Sequence, residues 1–209
     1  MIDVTAPFRQ VRAFFDSRTV RVYQAYPPEI ATRAIAGQTF RPPFKRDRMT
    51  WIKPSFTWMM YRSGWAKKAG QEVVLGIDIV REGFEWALAH SSTSHFVPGI
   101  STDEWRTALE ASPVRVQWDP ERTLKLEPLP WRTIQVGLGG GAVDEYVDNW
   151  IVCIEDITQL VAEIESLVAV GNLVGAQRLR PIERPYPLPE EIAHRVGCRA
   201  GEVDDDGRR

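Results

Sequence analysis

The side chains best suited to chemistry are concentrated in one segment, Arg46–Lys68, which reads RDRMTWIKPSFTWMMYRSGWAKK. In this segment cationic residues alternate with aromatic ones. Guanidinium and ammonium groups donate hydrogen bonds to phosphate oxygens, and flat aromatic faces stack on a nucleobase or a nicotinamide ring. The segment therefore predicts a binding site for a nucleotide or dinucleotide. The candidate binding residues are Arg48, Trp51, Lys53, Trp58 and Arg62, together with Tyr23 from an earlier part of the chain.

Residue spacing in this segment predicts how the side chains are arranged. A helix is predicted to begin near Ser55 and to stop at Gly64. It carries Ser55, Trp58 and Arg62 on one face, because residues three and four positions apart are neighbours. The strand end with Lys53 lies just before that helix, and a helix N-terminus at such a junction attracts anions. The alternative interpretation is that the tryptophans belong to the core and the cations to a solvated rim.

A second group of candidates lies in the run TVRVYQAY, which alternates like a β-strand. Such a strand directs Arg21 and Tyr23 to one face and Gln24 and Tyr26 to the other. Arg21 is then either a feature of a sheet edge or a contact to a ligand.

A third group, QWDPER, begins at Gln117 and supplies the carboxylates of Asp119 and Glu121 just past a predicted strand. Open α/β sheets place ligands at the carboxyl ends of their strands. A turn held by a pair of an acid and Arg122 is the competing interpretation.

Other familiar site patterns are absent from the sequence. Gly139-Gly140-Gly141 lacks the spacing of a dinucleotide fingerprint or a P-loop. The three histidines are scattered and form no metal-binding pattern, so we expect no metal. The two cysteines lie far apart and outside any nucleophile motif, so we expect reduced thiols.

Strands and helices that alternate along the chain must position these residues. Strands are predicted near residues 20, 50, 75, 116, 135 and 152, with helices between them. This order predicts an α/β (α+β) fold with a central mixed β-sheet flanked by helices. Ser91–Ser94 is predicted to be a polar loop, and Asp119-Pro120 to end the strand before it.

Composition limits the class of protein. The chain has 209 residues, of which 44% are hydrophobic and 26% charged, as in globular proteins. We expect one globular domain over residues 1–190, then a C-terminal segment, 191–209, whose last residues, Glu202–Arg209, are too charged to pack. A net charge of −2 gives no general attraction to nucleic acid or membranes. The absence of an apolar leader or a long apolar run predicts a cytoplasmic protein without membrane contact.

Longer runs of the sequence resemble a known family. VYQAY, RMTWIKPSFTWMMYRSGW, QWDPER and IQVGLGGGAVDEYVDNWIVCIEDIT resemble the bacterial and fungal family called domain of unknown function 4291, from about Arg9 to Pro189. That family is more loosely similar to the ADP-ribosyltransferase-like superfamily of NAD-using enzymes. The looser resemblance implies a split β-sheet with flanking helices and a site made of three strand-borne positions.

The resemblance implies roles for particular residues. Arg21 matches the first position, which binds the NAD ribose, and Ser55 matches the second. The third position falls on Gln117, Glu121 or Gln135, and the usual Glu-x-Glu or Gln-x-Glu pair is absent.

We therefore expect an enzyme that binds NAD and transfers ADP-ribose to an acceptor, and nucleic acid is one class of acceptor. The alternatives are a non-catalytic module that binds nucleic acid or nucleotides through Arg46–Lys68, and a metal-free enzyme of unrelated chemistry. The NAD hypothesis predicts that Arg21, Arg48 and Arg62 converge on the dinucleotide. It also predicts that Trp51 or Trp58 lines the binding cavity.

Overall fold

A computed structural model describes residues 6–94 and 101–198. The first part of the chain forms β1 (Arg12–Ala13), β2 (Thr19–Tyr26), α1 (Pro28–Gly37), β3 (Thr50–Ile52), α2 (Phe56–Ser63), β4 (Val73–Val80) and α3 (Arg81–Ala89). The second part begins with β5 (Ser91–Thr93), α4 (Thr102–Ala111), β6 (Val114–Arg122), β7 (Pro128–Leu138) and α5 (Gly141–Glu145). A π-helical turn, Tyr146–Trp150, then leads into β8 (Ile151–Asp156), α6 (Thr158–Ala169), α7 (Leu173–Leu179), β9 (Arg184–Pro185) and α8 (Glu190–Arg195).

The strands form two main sheets and one small ribbon. One sheet has the antiparallel order β2-β4-β8, and the other has the order β3-β7-β6-β5. The second sheet is mixed, because β5 runs parallel to β6 while β3 and β6 are antiparallel to β7. Strands β1 and β9 pair separately. The prediction of an α/β (α+β) fold with a mixed sheet and flanking helices is confirmed, and the sheet is divided in two.

The two main sheets meet where β2 passes β3. There the Tyr23 amide donates to the Lys53 carbonyl oxygen at 2.7 Å, in an isolated antiparallel bridge. This bridge joins the sheets while leaving the rest of β2 and β3 free to diverge.

Two hydrophobic clusters surround this junction. The larger cluster packs β2, β4 and β7 against α1 and α3, with buried residues such as Val22, Ile77 and Phe84. The smaller cluster packs α2 against the other face of β2 and α6, with Phe56 and Ile164 at its centre. Helix α2 is therefore held against β2 by the smaller cluster, and it also contacts β6.

Local signals explain where α2 begins and ends. The Ser55 hydroxyl accepts a hydrogen bond from the Trp58 amide at 3.1 Å, as an N-cap residue does. Gly64 follows the helix in the left-handed conformation, with φ of 59°, which glycine adopts without steric cost. Both ends agree with the sequence prediction.

Two predictions about loops are wrong. Ser91–Thr93 forms β5 instead of a loop, because it adds an edge strand to β6. Strand β6 continues through Asp119-Pro120, with a register shift between Pro120 and Arg122. Strand β5 pairs only with Val114–Val116. The edge of β6 beside Pro120 is therefore not paired with β5, and a proline, which has no amide proton, is tolerated there.

Other elements were not predicted from the sequence. Helix α7, LVGAQRL, is short and contains a glycine, and a helix of this length has little stability by itself. It exists because it packs against α6.

Glu202–Arg209 lies outside the described residues. Among the described residues, no helix combines the length and apolarity that a membrane crossing requires.

Candidate functional site

A cavity of about 570 Å³ opens where β2 and β3 diverge beyond their bridge. The carboxyl end of β2, the start of β3 and the last turn of α2 each contribute to its wall. Its volume lies in the range of small-molecule sites. The charged and aromatic lining residues among those described are Tyr26, Glu29, Phe44, Lys45, Arg48, Trp51, Lys53 and Arg62.

The gap between the strands is fixed by the side chain of Gln24, which is 3% exposed. Its amide nitrogen donates to Thr50 Oγ1 at 2.8 Å and to the Trp51 carbonyl oxygen at 3.1 Å. Its amide oxygen accepts from the Tyr146 hydroxyl at 2.8 Å. A side chain thus replaces the backbone ladder at this point and holds the two sheets together without closing the cavity.

Lys53 lies at the inner end of the cavity and is 7% exposed. Its Nζ donates to the Trp51 carbonyl oxygen at 3.3 Å and lies 5.1 Å from the centre of the Trp58 ring. Burial, and to a smaller extent the charge of Arg62, lower the pKa of Lys53 to about 7, while the charge of Asp119 acts in the opposite direction. No carboxylate among the described residues forms an ion pair with it.

Arg48 and Arg62 also line the cavity. Within residues 6–94 and 101–198, neither guanidinium takes part in an ion pair, whereas Arg46 is bound by Asp144 and Asp148 at 3.1 and 2.6 Å. Glu29 is the one carboxylate among the described residues that line the cavity, against four cations. This excess of positive charge favours an anionic ligand.

Trp51 reaches the cavity because β7 has no side chain opposite it. Trp51 pairs with Gly137 in the β3–β7 register. A Cβ atom at Gly137 would lie 2.9 Å from the Trp51 ring and 2.8 Å from Met49 Sδ. Glycine is therefore required for the ring to rest on the β7 backbone. Trp58, by contrast, is 6% exposed and lies behind Lys53.

A row of polar residues crosses the sheet next to Lys53. Gln117 pairs with Gln135 in the β6–β7 register. Gln117 donates to Asp119 Oδ1 at 2.9 Å, and Gln135 donates to Asp119 Oδ2 at 2.6 Å. The two glutamines thus orient one carboxylate. Asp119 lies in the QWDPER group, but the resemblance gave it no role, although strand alternation places it on the same face as Gln117.

Arg21 does not join Arg48 and Arg62, so the expected convergence of the three arginines is wrong. Arg21 lies opposite Asp78 in the β2–β4 register. Its Nε and Nη2 donate to the two Asp78 carboxylate oxygens at 2.8 and 2.7 Å, and its Nη1 lies 2.9 Å from Glu155. Carboxylates on neighbouring strands, distant in sequence, satisfy the guanidinium.

Ser55 and Glu121 belong to a different cluster, at the N-terminus of α2. Glu121 is 8% exposed, and its Oε1 accepts from Ser55, Thr57 and the Arg122 amide at 2.9, 3.1 and 2.8 Å. The nearby Glu183 accepts the Phe56 amide at 2.6 Å. Burial and the charge of Glu121 raise the pKa of Glu183 to about 8.

This carboxylate pair lines a second cavity of about 740 Å³, away from Lys53. Tyr23 lies in the smaller hydrophobic cluster, with its hydroxyl buried and without a hydrogen-bond partner in the part of the chain that the structure describes. Of the residues expected to act together, the structure brings Arg48, Trp51, Lys53 and Arg62 to one cavity and places Arg21, Tyr23, Ser55 and Glu121 elsewhere.

Within the described part of the chain, no three His, Cys, Asp or Glu side chains gather as they do around a metal ion.

No curated protein matches this chain. A family model described as "Domain of unknown function (DUF4291)" matches residues 10–186. Since this match covers most of the 209 residues, the protein belongs to that family.

Proposed function

We propose that the cavity between β2 and β3 binds NAD, and that the protein transfers ADP-ribose from NAD to an acceptor. The observation that carries the proposal is the excess of cations around the cavity. Arg48 and Arg62 lack acidic partners among the described residues and lie near Trp51. A pyrophosphate joined to a flat ring fits this combination, because guanidinium groups bind phosphate oxygens and aromatic faces stack on bases.

The division of the sheet supports the same proposal. ADP-ribosyltransferase-like enzymes, which this chain resembles loosely, have a split sheet. Here two sheets are joined by the bridge between Tyr23 and Lys53, and the cavity lies beside that bridge.

The row of polar residues supplies a carboxylate, that of Asp119, for the chemical step. When the bond between nicotinamide and ribose breaks, nicotinamide leaves with the bonding electrons, and positive charge develops on the ribose ring. Asp119, oriented by Gln117 and Gln135, is suited to stabilise that charge. The acceptor nucleophile then bonds to the anomeric carbon and releases its proton.

Calorimetric titration of NAD tests the binding step. Arg62→Ala should weaken NAD binding by about 10- to 100-fold, as expected when a charged hydrogen bond worth about 1.5–3 kcal/mol is lost. Arg46→Ala is the matched control, because Arg46 lies in the same segment but is already paired with Asp144 and Asp148. The NAD affinity of the Arg46→Ala variant should stay within about twofold of that of the wild type.

The transfer step is tested by measuring nicotinamide release from NAD by chromatography. Asp119→Asn should retain NAD binding and lose most of the release, since the amide cannot stabilise positive charge. Wild-type protein that neither binds NAD nor releases nicotinamide over hours would refute the proposal.

A non-catalytic nucleic-acid module is supported less well. Such a module needs free cations along an open groove. In the segment Arg46–Lys68, however, Arg46 and Lys67 form ion pairs. Lys68 donates to the Arg62 carbonyl oxygen at 2.9 Å. Three of the six cations of the segment are therefore engaged within the protein, and a fourth, Lys53, is buried.

A further inference from the structure

The amine of Lys53 has an unusual combination of burial and incomplete pairing. An ammonium group has three N–H donors to satisfy. Among the described residues, Nζ has one hydrogen bond, of 3.3 Å, to the Trp51 carbonyl oxygen. The side chain is 7% exposed and contributes to the cavity wall. A charged ammonium is poorly stabilised in this environment, whereas a neutral amine loses little there.

The electrostatic surroundings act in the same direction. Burial and, to a smaller extent, the positive charge of Arg62 together lower the pKa of Lys53 to about 7. About half of the molecules then carry a neutral Lys53 amine at pH 7, compared with roughly one in a few thousand for an ordinary exposed lysine. Desolvation beside another cation is an established way to activate a lysine as a nucleophile.

The cavity around Lys53 also specifies what kind of molecule would reach this amine. Arg48 and Arg62 provide guanidinium groups that no carboxylate of residues 6–94 and 101–198 pairs, and Trp51 provides an aromatic face. A ligand that carries a phosphate and a carbonyl group can engage both arginines and still present its carbonyl carbon to Nζ.

We propose that Lys53 is a nucleophilic amine that forms an imine with an anionic aldehyde or ketone bound in this cavity. Nζ bonds to the carbonyl carbon, and the carbonyl oxygen leaves as water with the two amine protons. The step requires no oxidant or reductant. It shares the cavity with the proposed NAD site but does not depend on ADP-ribose transfer.

Reductive trapping with pyridoxal 5′-phosphate tests this inference, since the probe is an aromatic aldehyde with a phosphate. The full chain is incubated with the probe at pH 7, reduced with borohydride and mapped by peptide mass spectrometry. Lys53 should be labelled at least about tenfold faster than the exposed Lys67, because a larger fraction of its amine is neutral. Inorganic pyrophosphate should slow labelling of Lys53 and leave Lys67 unaffected.

Two variants distinguish the contribution of the Lys53 amine to labelling from that of the phosphate-binding arginine. Arg62→Ala should reduce labelling of Lys53 by the phosphate-bearing probe more than labelling by pyridoxal, which lacks the phosphate. Lys53→Arg should remove the fast-reacting site, and mapping of the wild type gives the same information if that variant does not fold.

Lys53 labelling no faster than that of Lys67, or unaffected by pyrophosphate, would overturn the inference. Trapping at Lys53 in a protein that does not bind NAD would refute only the proposed transferase function. NAD binding without selective trapping would refute only the imine.

Discussion

At the scale of single residues, the position of Trp51 in the cavity wall depends on the absence of a side chain at Gly137. Gly137→Ala would bring a Cβ atom to 2.8 Å from Met49 Sδ and 2.9 Å from the Trp51 ring. Met49 is flexible, but the indole ring must turn away from β7. We expect several-fold weaker NAD binding and a loss of about 1–2 kcal/mol in the free energy of unfolding.

The measurements are NAD titration and urea unfolding, with Gly139→Ala as the control. A Cβ atom at Gly139 would meet Met49 Cε at 3.4 Å and the Pro113 carbonyl oxygen at 3.5 Å. These distances are close to ordinary contacts, so binding should change little in the control. Equal affinities for the two variants would show that the Trp51 ring does not contact the ligand.

At the scale of elements, α2 depends on a carboxyl group supplied by a distant part of the chain. Glu183 accepts the Phe56 amide at 2.6 Å, and the pKa of Glu183 is raised to about 8 by burial and by Glu121. The folded state therefore retains a proton that the unfolded chain releases near its ordinary pKa of 4.5. The resulting stabilisation is complete below that value and is lost as the pH rises through about 8.

Glu183→Gln should remove this pH dependence, because the amide oxygen still accepts from Phe56 and cannot ionise. The free energy of unfolding of the wild type should fall by roughly 3–4 kcal/mol relative to the variant between pH 5 and pH 8.5. Urea unfolding at several pH values measures the difference. Glu163→Gln, at an exposed position on α6, should follow the wild type, and parallel curves for Glu183→Gln would contradict the assignment.

At the scale of the whole molecule, Arg21 ties the strands of one sheet together and takes no part in the cavity. Arg21→Ala leaves Asp78 and Glu155 on adjacent strands without their cation. We expect a loss of about 1–3 kcal/mol in the free energy of unfolding, with NAD affinity nearly unchanged.

Thermal unfolding and calorimetric titration distinguish this role from the ribose-binding role that the resemblance implied. Arg62→Ala provides the opposite pattern, with weaker NAD binding and little change in stability. A large loss of NAD affinity in a folded Arg21→Ala variant would show that Arg21 belongs to the binding site.

Several elements and part of the site could be predicted from the sequence because their signals are local. The alternation of TVRVYQAY indicated β2, and Ser55 and Gly64 marked the ends of α2. The interleaved cations and aromatic residues of Arg46–Lys68 identified the segment that lines the cavity. Periodicity and capping act over a few residues, so they are visible without knowledge of the fold.

Strand pairing determined the features that the sequence did not reveal. Strand β5 exists because β6 offers an edge, and Asp119 is oriented because Gln135 comes to lie beside Gln117.

The sequence by itself determined that cations and aromatic side chains are concentrated in the segment Arg46–Lys68, since composition and spacing are properties of the chain. Only the tertiary structure decided which of those cations are free to bind a ligand. Arg46 is neutralised by Asp148, 102 residues away, whereas no acidic partner reaches Arg62 from the described residues. The charge balance of a site depends on every strand and helix that packs around it, and packing brings together residues that no local pattern relates.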